Sequence, residues 1–253
     1  MSANGPVRSL AVSIAAFAIT LAAHADALRE ATIRIGFSTN KPPYVFEHEK
    51  SGLEYDIIVA AIRHAGYETV PFFAPMSRLS VMLAHKDIDG IATTNTMNGV
   101  AAYYSAPYIT YHNVAIALAS RHLEIKSIAD LGRYSVSTFQ RAAELLGPAF
   151  HEMAMHNPAY REEADQSARN RLLYSGHVDV IVGDSRIVAY FNREAGKVVD
   201  TTQRIDRFDI FPPTDYSVGF VSEAVRDMFN EGLARIREDG EYAEIERRYA
   251  EYQ

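Results

Sequence analysis

The sequence predicts an α/β fold built as two lobes of similar size. Each lobe is a mainly parallel sheet flanked by helices, and two strand crossings between the lobes form a hinge. Three observations carry this expectation. Strand-like and helix-like patterns alternate along the chain, the alternation begins again near residue 113, and no Pro/Ser-rich linker separates the two halves. With 253 residues and 48% hydrophobic content, the chain is long enough for two lobes, each with a core of its own.

Residues 33–37 alternate as a strand, and 55–65 carry Ile58, Ala61, Ile62 and Ala65 on one helical face, with Gly66 as the stop. A second strand is expected over 70–73 and a second helix over 77–85, burying Leu79, Met82 and Leu83. The turn Asp87-Ile88-Asp89-Gly90 then leads into a third strand. This β-α-β-α-β order calls for parallel strands covered by helices. Val114, Ile116 and Leu118 alternate along the next strand. Strands over 134–138 and 178–182 and helices over 142–146, 166–175 and 186–194 repeat the plan. A strand over 216–221 and two amphipathic helices follow, the first using Val225, Phe229, Leu233 and Ile236, the second Tyr242, Ile245 and Tyr249. The expected division is lobe one over 28–112, lobe two over 113–205, and a return to lobe one over 206–253.

Residues 1–25 read as a secretory signal peptide: Arg8, an apolar run from Leu10 to Ala23, and small residues that place cleavage near Ala25 or Ala27. The run is short for a membrane span, which needs about 20 residues. With no Cys there is no lipid anchor, disulfide or thiol chemistry, so the expected location is the periplasm. A formal charge of −7 without any basic run argues against nucleic-acid binding.

Several segments in order resemble the extracytoplasmic solute-binding proteins of ABC importers, the polar amino-acid-binding group known as family 3. Ile33-Arg34-Ile35-Gly36 followed by Pro42-Pro43-Tyr44 is similar to that family's opening strand and aromatic stacking residue. Gly52-Leu53-Glu54-Tyr55-Asp56 resembles its first helix start, and Asp87-Ile88-Asp89-Gly90 and Tyr104-Ser105-Ala106-Pro107-Tyr108 its segments before the hinge. Ser127-Ile128-Ala129-Asp130-Leu131-Gly132 is similar to its entry to lobe two. The run from Ser175 to Asp184 and Glu238-Asp239-Gly240-Glu241-Tyr242 resemble its later signatures. The resemblance implies the type II periplasmic-binding-protein fold and a monomer that captures a small polar solute and delivers it to an inner-membrane permease. It implies no enzyme activity and no cofactor.

In such folds ligands bind at the carboxyl ends of the parallel strands. Tyr44, held extended by the two prolines, and Asp184, which ends a lobe-two strand, are therefore expected to face each other across the crevice. Alternatively, Tyr44 caps the core and Asp184 caps the helix after it. The resemblance gives Asp184 the ligand's ammonium group. The stretch from Thr93 to Ala102 lacks the Arg with which amino-acid binders of the family hold a carboxylate. Thr93, Thr94 and Asn95 offer uncharged hydrogen bonds instead. Arg78, and Arg141 beside Phe139, are the candidate cations for an anionic group, each with a solvated alternative.

A dehydratase acting on cyclic carboxylic acids, with Asp184 or Glu144 as the acid, is the alternative that a few relatives of the family suggest. A ligand-sensing subunit is another. No metal site is expected: His151 and His156, five residues apart, fall about 140° apart on a helix.

Overall fold

The computed structural model describes residues 32–39, 41–96 and 99–252. The signal-peptide reading of 1–25 therefore lies outside the described residues, as do Asn40, Met97 and Asn98.

Lobe one opens with β1 (Thr32–Ser38), α1 (Leu53–His64), β2 (Glu68–Ala74), α2 (Met76–Ala84) and β3 (Gly90–Thr94). Two short strands follow, β4 (Tyr103–Tyr104) and β5 (Ile109–Tyr111). Lobe two contains β6 (Asn113–Leu118), β7 (Val136–Phe139), α3 (Ala142–Leu145), α4 (Pro148–His156), β8 (Tyr160–Glu163), α5 (Gln166–Tyr174), β9 (Val180–Asp184), α6 (Ser185–Ala195) and β10 (Ile205–Phe208). The chain then returns through β11 (Thr214–Phe220), α7 (Glu223–Glu238) and α8 (Glu241–Arg248).

The first sheet runs β2-β1-β3-β11-β4, with β5 also on β11; the second runs β10-β6-β9-β7-β8. In each, three strands are parallel, as the β-α-β order requires: β2, β1 and β3 in one, β8, β7 and β9 in the other. The strands next to the crossings run antiparallel, so both sheets are mixed. The chain leaves lobe one between Tyr111 and Asn113 and returns between Phe208 and Thr214. Because β10 pairs with β6, residues 205–208 belong to the second sheet, and the return falls later than the expected boundary at 206.

Every residue of β6 and β9 is buried, which fits strands covered on both faces. Their alternation sorts them cleanly. Ala115, Ala117, Val180 and Val182 join the core containing Phe150 and Leu131, while Val114, Ile116, Leu118 and Ile181 join the core containing Leu173 and Val188. Lobe one is built the same way, with Ile35, Phe37 and Phe220 against α1 and α7 on one face and Ile88 and Ile91 against Leu79 and Leu83 on the other.

Two glycines set the approach of elements that carry the site. At Gly52, φ is 125°, and a Cβ there would lie 2.3 Å from the Tyr44 carbonyl oxygen. That carbonyl accepts the N–H groups of Glu54 and Tyr55, which seats the start of α1 on the loop after β1. A Cβ at Gly232 would lie 2.0 Å from the Ala61 carbonyl oxygen, so only glycine lets α7 close on α1.

The lobes also meet beside the crossings. Ile187 of α6 sits in the lobe-one core, Tyr190 lies edge-on to Phe46, Arg186 donates to the Tyr249 carbonyl at 3.2 Å, and Arg193 pairs with Glu251 at 2.7 Å. Among the described residues no helix is long and apolar enough to cross a membrane.

Candidate functional site

The carboxyl ends of β1 and β3, the last residue of β5 and the carboxyl end of β9 converge where the chain crosses between lobes. Gly52 and the Tyr44 carbonyl fix the first turn of α1 there, and Glu54 in that turn is fully buried. Its carboxylate accepts from the Thr93 hydroxyl at 2.5 Å, from the Tyr111 hydroxyl at 3.0 Å, and from the Lys41 ammonium at 3.3 and 3.2 Å. Lys41 also donates to the Thr93 hydroxyl and lies 5.4 Å from the centre of the Tyr111 ring. Thr93 adopts φ 53°, unusual for a β-branched residue, and its N–H donates to the Tyr108 hydroxyl at 3.0 Å.

The Tyr44 ring stacks on Tyr111, with centroids 4.0 Å apart and planes 16° from parallel. Its hydroxyl donates to Asp184 Oδ1 at 3.0 Å. Asp184 caps α6 by accepting from the N–H groups of Arg186 and Ile187, and its other oxygen accepts from the His112 N–H at 2.9 Å. Tyr44 and Asp184 are 1% and 3% exposed. The expected gap between them is closed by a direct hydrogen bond, because Tyr44 stacks on the residue that enters the crossing and Asp184 pairs in the sheet with Asn113 on its far side. Asp184 also caps its helix, as the alternative had it.

Burial pushes the Asp184 carboxyl up from its ordinary value, against the N–H donors and the Tyr44 hydroxyl that pull it down. Burial pushes the Lys41 ammonium down, with Glu54 opposing. The phenols of Tyr44, Tyr108 and Tyr111 stand well above the usual range, first from burial and then from the nearby carboxylates. Behind Asp184, the wholly buried Arg169 guanidinium is held by Asn170, Gln166 and the Val182 carbonyl, and desolvation lowers it to about 10.

Of the sequence-predicted residues, Tyr44, Thr93 and Asp184 thus share one polar network. Thr94 is buried within β3, its hydroxyl without a hydrogen-bond partner, and Asn95 is half-buried just beyond. The others lie outside the network. Arg78 is exposed on α2. Phe139 packs against the lobe-two core. Arg141 is exposed, and its guanidinium binds Glu144 at 2.7 Å, so its charge is taken up within its own lobe.

Sequence reasoning did not single out Lys41, Glu54, Tyr108 or Tyr111. For Glu54 a signal existed: it stands three and four residues before the buried Ile57 and Ile58, on the inward stripe of α1.

His151 and His156 are exposed and bond separate carbonyls, those of Ala143 and Glu152. His64, Asp239 and Glu241 bring three potential ligand atoms within 4.8 Å of one another at the end of α1, with Arg63 on Glu241 at 2.5 Å.

Two lobes joined by two crossings, with a floor of carboxylates and tyrosines between them, define a hinged small-molecule-binding protein. The chain belongs to the bacterial extracellular solute-binding proteins, family 3, whose model matches residues 33–252. It is 22% identical over 214 residues to the arginine-binding periplasmic protein of Mannheimia haemolytica, covering 81% of this chain and 85% of that protein. Its fold is similar to the GluR0 ligand-binding core in complex with L-glutamate, with a TM-score of 0.70 at 15% identity over 86% of this chain and 97% of that one. It is also similar to an ancestral amino acid-binding protein described as a precursor of cyclohexadienyl dehydratase. There the TM-score is 0.66 at 19% identity, covering 88% and 97% of the two chains.

Proposed function

We propose that this protein is a periplasmic receptor that captures a small amine-bearing solute between its lobes and delivers it to an inner-membrane ABC permease. The carrying observation is that two buried carboxylates, Glu54 and Asp184, stand at the crevice floor among the rings of Tyr44, Tyr108 and Tyr111. Carboxylates and aromatic faces are the chemistry that recognises an ammonium group. Of the cations expected to hold an anion, Arg141 is bound to Glu144, and Arg78 is exposed on α2. The distant arginine-binding relative supports the same class of solute.

The mechanism is a population shift. A solute that touches Asp184 from lobe two and the lobe-one network together stabilises the state in which both are close, and closure marks the loaded receptor. Isothermal titration against arginine, lysine, putrescine, succinate and a neutral sugar tests the reading. Binding of an amine-bearing solute and not of the others is expected; selective binding of succinate or the sugar would overturn it. Turnover of a cyclic carboxylic acid would instead favour the dehydratase alternative, which the resemblance to a dehydratase precursor keeps in view.

A further inference from the structure

The Lys41 side chain is bound as a ligand would be. An ammonium group has three N–H donors, and Lys41 Nζ faces three oxygens: Glu54 Oε1 at 3.3 Å, Glu54 Oε2 at 3.2 Å and the Thr93 hydroxyl. The Tyr111 ring lies 5.4 Å away on another side, within cation–π range. Glu54 is held for this task, since its side chain is 0% exposed and the Tyr111 hydroxyl fixes its second oxygen. Lys41 differs from its partners in one respect. It comes from the loop after β1 on a flexible four-carbon stem, and its side chain is 15% exposed where that of Glu54 is 0% exposed.

We propose that Glu54, Thr93 and Tyr111 form a subsite for a primary ammonium group, and that Lys41 fills it as a tethered stand-in until a solute's own amine displaces it. The exchange conserves charge inside the protein: one ammonium leaves the Glu54 carboxylate for water as another arrives. No buried carboxylate is left unpaired at either end of the process. The subsite selects a compact head with N–H donors, and a quaternary ammonium lacks them. The inference rests on reading the crevice floor as the solute site, and it gives that site a second amine-recognising pole besides Asp184.

The test uses a probe that is independent of the natural solute. Lys41→Ala removes the equivalent of propylammonium, so propylammonium chloride is the matching probe. At tenfold its Kd, it is expected to raise the melting temperature of the variant by about 3–6 °C. The wild-type protein should not respond, and neither should the variant with tetramethylammonium chloride at equal ionic strength. No rise in the variant, an equal rise in the wild type, or an equal rise with tetramethylammonium would overturn the proposal.

Should Lys41→Ala fail to fold, Glu54→Gln gives a second measurement. Lys41 is expected to resist acetylation in the wild type and to label several-fold faster in Glu54→Gln; equal labelling would contradict the assignment. Failure of the propylammonium rescue leaves the solute titration of the wild type standing, and failure of that titration leaves the rescue experiment unaffected.

Discussion

The two lobes furnish their parts of the crevice floor very differently. Lobe one supplies an interlocked group in which Lys41, Glu54, Thr93, Tyr108 and Tyr111 bond one another and Tyr44 stacks on Tyr111. Lobe two supplies Asp184, held by the helix it caps and by the His112 N–H. Of its other candidates, Phe139 packs against its core and the exposed Arg141 pairs with Glu144. The contrast shows a receiving surface prebuilt on one lobe and a carboxylate brought up by the other, with the Tyr44–Asp184 bond linking the two parts.

The comparison can be broken most severely at Glu54. Glu54→Ala removes the acceptor shared by Lys41, Thr93 and Tyr111 and leaves a nearly buried ammonium unpaired. A loss of about 3–5 kcal/mol is expected in denaturant unfolding, and Glu54→Gln should cost less because it keeps an acceptor. An effect within experimental error would mean that the lobe-one network is not a unit.

Asp184→Asn comes next, at about 1–3 kcal/mol, because an amide nitrogen replaces the oxygen that accepts from the His112 N–H. Its pH dependence has a definite sign. Burial raises the Asp184 carboxyl above the ordinary 3.8, so the native state holds that proton more tightly than the unfolded chain. This group therefore adds stability as pH falls through its raised native value toward 3.8, and that gain vanishes as pH rises again. The asparagine variant lacks the gain, so its deficit relative to wild type should be larger near the acid end of that window than at neutral pH. A deficit that shrinks on acidification would contradict the assignment.

Tyr44→Phe keeps the stack on Tyr111 and deletes only the bond to Asp184, so about 1–2 kcal/mol is expected. Arg141→Ala should lie within about 0.5 kcal/mol and leave solute affinity unchanged, since its partner Glu144 is as exposed as it is.

Much of this fold is legible in the sequence because burial on two faces writes long apolar runs. Strands β6 and β9 and helix α1 show it plainly, and the order of elements then dictates parallel pairing. Strands β8, with the sequence Tyr-Arg-Glu-Glu, and β10, with Ile-Asp-Arg-Phe, escaped because they lie at sheet edges, where charged side chains are favoured and the apolar signal fades. The lobe-two boundary was misplaced for the same reason. The site was half legible. Tyr44, Thr93 and Asp184 could be placed at strand ends, whereas Lys41 and Glu54 were not singled out. Only the fold brings a loop lysine and a helix-start glutamate together in the interior, twelve residues of chain closing on themselves between them.

The most direct test of the account is calorimetric titration of the tightest-binding amine from the solute panel into wild type, Asp184→Asn and Arg141→Ala, all confirmed as folded. Loss of a charge-assisted bond at the floor predicts that Asp184→Asn binds about tenfold more weakly or worse while Arg141→Ala matches wild type. Unchanged affinity in Asp184→Asn together with lost affinity in Arg141→Ala would move the solute site away from the crossing and contradict the account.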